Sequence, residues 1–78
     1  FKNANLENAN FKNASMMFTS FYLANLTGAD LSGADLRHGL LMNTDLSNAN
    51  LSGADLSDVV YDENTNLKCL NHPICLDE

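Results

Sequence analysis

From Phe1 onward, every fifth residue as far as Tyr61 is large and apolar: Phe1, Leu6, Phe11, Met16, Phe21, Leu26, Leu31, Leu36, Leu41, Leu46, Leu51, Leu56 and Tyr61. A period of five fits neither the turn of an α-helix nor the alternation of a strand, so the repeating unit must itself be the structural element. Two residues before most centres sits alanine, as in Ala24, Ala29, Ala34, Ala49 and Ala54, with Thr19, Gly39, Thr44 and Val59 as the departures. The residue just before each centre is mostly Asn, Asp or Ser. Each unit thus offers one small and one large inward group, with a polar group between them facing water. The central residues are the expected structural core.

The runs Ala29-Asp30-Leu31-Ser32-Gly33, Ala34-Asp35-Leu36 and Ala49-Asn50-Leu51-Ser52-Gly53-Ala54-Asp55-Leu56 resemble the pentapeptide-repeat family, and the resemblance covers residues 1–61. It implies an all-β fold: a right-handed quadrilateral β-helix with four units to a coil and about three coils in all. Residues twenty apart then stack at about the 4.8 Å strand spacing. Phe1, Phe21, Leu41 and Tyr61 form one inward column under this scheme, and the alanine columns must stay small where the walls approach.

The phase fails after Tyr61, which divides the chain into a repeat domain, 1–61, and a C-terminal capping segment, 62–78. Solenoid ends need shielding. Leu67, Leu70, Ile74 and Leu76 are the expected cover, with Asn66 opening a short helix that stops before Pro73. Phe1 is already in phase, so the chain reads as a fragment or a processed product. Cys69 and Cys75 are the only cysteines. A disulfide, two free thiols and a metal site using His72 and Asp77 are the three readings, and the disulfide is favoured because the metal reading lacks a paired Cys-x-x-Cys. A disulfide points to a periplasmic, lumenal or secreted compartment, and free thiols to the cytoplasm.

Apolar residues also occupy positions that the pattern reserves for polar ones: Met17, Phe18, Tyr22, Leu23, Leu40, Met42 and Val60. Stacking by twenty gathers them on one side, with Tyr22 under Met42 and Ser20 under Leu40 under Val60. Contiguous apolar surface of this kind marks an interface. Met17, Phe18, Tyr22, Leu23, Leu40 and Met42 are the expected contact residues, toward a protein partner or a second copy stacked by face or by end.

Four basic residues against ten acidic ones give a net charge of −6, with no basic stripe for a phosphate backbone. Direct nucleic-acid binding is not expected, and no stretch is long and apolar enough to span a bilayer. The family resemblance supplies an alternative, an acidic rod that imitates duplex DNA and binds a type II topoisomerase. Here only Asp35 and Asp55 stack directly in the repeat columns. His38, Asp58 and Ser57 form a trio by residue type, but on a convex corner without oxyanion donors or shelter from water. Turn chemistry explains the glycines, so no phosphate loop and no cofactor are expected. The sequence describes a non-enzymatic interaction module.

Overall fold

The computed structural model describes residues 1–76. Asn5 pairs in parallel with Asn25, Asn10 with Asp30, Ser15 with Asp35 and Ser20 with Leu40, and the same pairings recur one turn higher as far as Leu40 with Val60. Four pairings in each twenty residues make one turn of a β-helix solenoid, with one side to each five-residue unit. The polar residue of a unit uses its backbone in both directions. Leu26 N–H donates to Asp45 O (2.8 Å), while Asp45 N–H donates to Ala24 O (3.1 Å).

Pairing stops after a single residue per side because the chain turns at once. The second residue after each centre from Phe1 to Leu56 has a left-handed backbone, with φ from 56° at Asn43 to 70° at Gly28 and Gly53. The turn closes where the next small residue donates to the centre's carbonyl, as Ala29 N–H does to Leu26 O (3.0 Å). Asn and Gly are the residues that enter this region at least cost, which explains their recurrence at that position. Gly33 has a second reason, since a Cβ there would overlap the side-chain oxygen of Asn13 one turn below. The Asn, Asp or Ser before the centre steadies the other half of the turn. Its side-chain oxygen accepts the N–H two residues on, as at Asn25 to Thr27 (3.0 Å) and Asp30 to Ser32 (3.0 Å).

Inside, Phe21, Leu26, Leu31, Leu36, Leu41, Leu46 and Leu51 are fully buried, with Ala24, Ala29, Ala34 and Ala49 filling the narrow positions between them. Thr44 takes an alanine place without leaving a polar atom unpaired, because its hydroxyl donates to Phe21 O (2.7 Å). Four residues expected in the core are not fully buried: Leu6 and Phe11 are half-buried, and Phe1 and Tyr61 are exposed. Phe1 is 51% exposed and Tyr61 50%. Both lie in outermost turns, where neighbours stack on one side only. Phe1 still packs its ring against Phe11 (5.5 Å between centroids) and Phe21 (5.6 Å), which half-covers Phe11.

The expected helix after Asn66 is absent from the described residues. The ladder instead continues past Tyr61, with Asn66 pairing to Asp45 and Leu70 to Asn50. Asp45 and Asn66 are twenty-one apart, so one extra residue has entered between Val60 and Asn66, and the spacing returns to twenty at Leu70. Asp62 holds this enlarged unit together by accepting Asn43 N–H (3.2 Å) below it and Asn64 N–H (3.1 Å) beside it. Thr65 then repeats the device of Thr44, donating to Leu41 O (2.7 Å). Leu67 and Cys69 are buried, the first as a new large inward group and the second as a new small one. A chain that can bury these side chains by continuing the ladder gains more than a short isolated helix offers.

Only the stretch after Leu70 folds across the end. Ile74 and Cys75 pack against the core, whereas Leu70 and Leu76 remain exposed. Asp77, invoked in the metal reading, lies outside the described residues. Cys69 and Cys75 are joined in a disulfide with Cα atoms 5.1 Å apart, which leaves neither sulfur as a thiolate ligand. His72 Nε2 donates to Ala54 O (3.2 Å) and its Nδ1 accepts Ile74 N–H (3.1 Å), so this histidine ties the closing loop to the turn beneath.

Candidate interaction surface

Three of the four sides present polar columns, such as Asn25 with Asp45, Asp30 with Asn50 and Asp35 with Asp55. The fourth presents Ser20, Leu40 and Val60. Leu40 and Val60 are 36% and 48% exposed, and neither has a side-chain acceptor for the N–H two residues on. The corner before this side carries Met17 and Phe18 in the first turn, Arg37 and His38 in the second, and Ser57 and Asp58 in the third. The corner after it carries Tyr22 and Leu23 above Lys2 and below Met42.

Of the predicted contact residues, Met17, Phe18, Leu23 and Leu40 are exposed, while Tyr22 and Met42 are half-buried. Phe18, 69% exposed, lies flat on His38 at 4.8 Å between ring centroids and 6° between planes. Lys2 Nζ sits 5.7 Å from the centre of the Tyr22 ring, within cation–π reach. The Phe18–His38 stack has one sequence signal, their separation of twenty.

Phe18, Leu23, His38 and Asp58 share another property. All four have positive φ, between 60° and 64°, at the position where other units place Asn or Gly. Asp and His enter this region more readily than most residues, whereas the bulky Phe18 and Leu23 are strained there. Every such substitution within 1–60 falls on one of the two corners flanking the Leu40 side.

His38 Nε2 lies 3.9 Å from Asp58 Oδ2, with both side chains well exposed. No cavity opens beside them among the described residues, nor does any cluster of three or more His, Cys, Asp or Glu converge there or elsewhere to hold a metal. Among the described residues no helix is long and apolar enough to cross a membrane.

The acidic columns are locally compensated. Arg37 Nε donates to Asp35 Oδ1 (2.9 Å) and Nη2 to Asp35 Oδ2 (2.8 Å), while Asp55 Oδ2 stands 3.9 Å from Nε. Hydrogen bonding from the Arg37 side chain, and then from its backbone, holds the Asp35 carboxyl down at about 2. The hydroxyl and N–H of Ser32 lower Asp30, and those of Ser57 lower Asp55. The N–H of Ser47 lowers Asp45 in the same way. At Asp62 desolvation pushes upward, but the combined hydrogen bonds from Asn43, Thr65 and Asn64 outweigh it.

A carboxyl whose pKa is depressed by folding stabilises the fold above its unfolded value of about 3.9, and that contribution is lost as pH falls through the folded value. The melting temperature is therefore expected to hold from pH 7 to about 4.5 and to fall steadily from pH 4 to pH 2. A scan by circular dichroism checks this. A melting temperature at pH 2 equal to that at pH 7 would show that the turn carboxylates contribute nothing.

Among known proteins, the profile of pentapeptide repeats matches eight copies across residues 1–37 and 24–60. No curated protein matches the chain. Among solved structures, the pentapeptide repeat protein HetL from the cyanobacterium Nostoc, involved in heterocyst differentiation regulation, is 31% identical with a TM-score of 0.83. That match covers 90% of this chain and 33% of HetL. Rfr23 from the cyanobacterium Cyanothece is 28% identical with a TM-score of 0.76, over 87% of this chain and 44% of its own. A pentapeptide repeat protein from the Arabidopsis thaliana thylakoid lumen is 41% identical with a TM-score of 0.51, over 76% of this chain and 48% of its own. The chain spans less than half the length of each of these proteins.

Proposed function

Since the chain belongs to the pentapeptide-repeat family, we propose that it is a right-handed quadrilateral solenoid acting as a non-enzymatic interaction module, with the Leu40 side as its contact surface. One observation carries this reading: apolar side chains and strained turn residues coincide on that side and its two corners. Isolated exposed leucines are ordinary on a protein surface, whereas a contiguous apolar side bordered by backbone strain is not. The exposed Phe18 and Met17 and the half-buried Tyr22 are of the aromatic and methionine types enriched at contact centres. A rigid scaffold presenting such a side suits regulation by binding, the kind of role that HetL's involvement in heterocyst differentiation suggests.

The acidic-mimic alternative draws on the net charge of −6. It is weakened where Arg37 sits against both Asp35 and Asp55, the stacked pair on which a phosphate-like row would have to be built.

Immobilised protein, compared with a Tyr22→Ser, Leu40→Asp variant, tests the module. A protein retained from source-cell lysate by the wild type and lost with the variant is the expected result. Topoisomerase subunits held equally by both, and released by salt, would favour the acidic mimic instead.

A further inference from the structure

We propose that the Cys69–Cys75 disulfide is a redox latch, which a dithiol releases so that the closing loop 71–76 leaves the end of the solenoid while the turns beneath stay folded. The proposal is independent of the Leu40 side. It starts from the unequal way in which the two linked cysteines are held.

Cys69 belongs to the ladder. It is buried, and its unit is pinned to the turn below by Asn48 N–H to Lys68 O (2.9 Å), Asn66 N–H to Thr44 O (2.9 Å) and Leu70 N–H to Ala49 O (2.8 Å). Cys75 is half-buried and lies beyond Leu70, the last ladder pairing among the described residues. Apart from the crosslink, its loop is tied down by His72 Nε2 to Ala54 O (3.2 Å), Asn71 Nδ2 to Asn50 Oδ1 (3.1 Å), Leu76 N–H to Leu67 O (2.7 Å) and the packing of Ile74. Ordering the loop costs backbone entropy that these partly exposed contacts do little more than offset. The crosslink closes a short loop and so shifts the balance toward the shut position on the order of thirtyfold. A shift of that size turns a nearly balanced loop from open to shut.

One contact prepares the open state. Cys69 Sγ stands 3.5 Å from Leu67 O, the carbonyl that accepts Leu76 N–H. In the disulfide this sulfur has no proton to give. As a thiol it donates to Leu67 O, so that carbonyl keeps a partner when Leu76 departs.

In the release, a thiolate of the dithiol attacks Cys75 Sγ, on the less buried of the two cysteines, and expels Cys69 as a thiolate that takes up a proton. The second sulfur of the dithiol then displaces Cys75 from the mixed disulfide. The dithiol departs as a disulfide, and the two electrons and two protons it gave up reside on Cys69 and Cys75 as thiols.

Coupling of this kind is reciprocal. Because the loop is shut when oxidised and open when reduced, any contact made only in the shut position also favours the oxidised form.

Equilibration of the folded protein with mixtures of reduced and oxidised dithiothreitol, read by alkylation and mass, tests this on the wild type and on Ile74→Ala. The variant should be half-reduced at a dithiol-to-disulfide ratio on the order of tenfold lower, because it loses packing present only in the shut loop. In the reduced wild type, hydrogen exchange should show the Leu76 amide losing protection while the Asn48 amide keeps it, and reoxidation should restore Leu76. An unchanged midpoint in Ile74→Ala overturns the proposal, since the loop would then be shut in both states and the disulfide a brace. Equal loss of protection at Asn48 also overturns it, since the ladder and not the loop alone would be opening.

Discussion

Replacing Phe21 with alanine should destabilise the solenoid by about 3–5 kcal/mol, the range for emptying a fully buried aromatic site. Phe21 has no exposed surface, stacks on Phe1 at 5.6 Å and lies beneath Leu41 in the inward column. The walls around it are closed by backbone hydrogen bonds on both edges, Phe21 N–H to Leu40 O (2.8 Å) and Ala24 N–H to Phe21 O (2.8 Å), so the cavity has little freedom to collapse. Thr44 also donates to the Phe21 carbonyl, which couples the site to the turn above. A small domain holds only about 5–15 kcal/mol in total, so the variant should lose a large share of its stability. Urea unfolding followed by circular dichroism reads the loss as a lower midpoint at unchanged slope. Tyr61→Ala, in the same column but half-exposed, should cost no more than about 1 kcal/mol. Equal losses at the two positions would mean that column membership, and not burial, sets the energetics.

That contrast also marks how far the sequence is legible. Period five identifies which residues point inward, because one large and one small inward group per unit is a local geometric demand that every unit repeats. It does not distinguish Phe21 from Phe1, since burial depends on the turns stacked above and below. The break after Val60 shows the same limit. One extra residue removes the phase by which the pattern is recognised, yet Thr65, Leu67 and Cys69 still fall into inward places because the hydrogen-bonding edge of the third turn selects them. Asn66 carries the marks of a helix start, and those marks lose to an available edge.

The apolar side is legible as composition through Leu40 and Met42. Its strain is not, because Phe18 and Leu23 look like tolerated surface variation until their positive φ values place them in the left-handed turn. The cap likewise needed the backbone to be understood, since Cys69 belongs to the ladder while Cys75 belongs to the loop that closes over it.

Changing Cys69 and Cys75 together to alanine should therefore cost about 2 kcal/mol, the chain-entropy value for so short a closed loop. Alanine at position 69 suits its narrow inward place above Ala49, so the substitution removes the crosslink without creating a misfit. What remains to hold the loop among the described residues is the His72 to Ala54 bond (3.2 Å), the Asn71 Nδ2 to Asn50 Oδ1 bond (3.1 Å), the Leu76 N–H to Leu67 O bond (2.7 Å) and the packing of Ile74. These are few and lie near the surface, so the loss should begin as local opening. Hydrogen exchange at the Leu76 amide should accelerate on the order of thirtyfold, the equivalent of that free energy. The Leu31 amide, bonded to Asn50 O (2.8 Å) deep in the ladder, should accelerate less. Reducing the wild type should reproduce both changes. Unchanged protection at Leu76 in the double variant would show that the loop is held by its packing alone. Equal acceleration at Leu31 would instead show that the closing loop and the turns beneath it open as one unit, making the crosslink a condition of the whole fold.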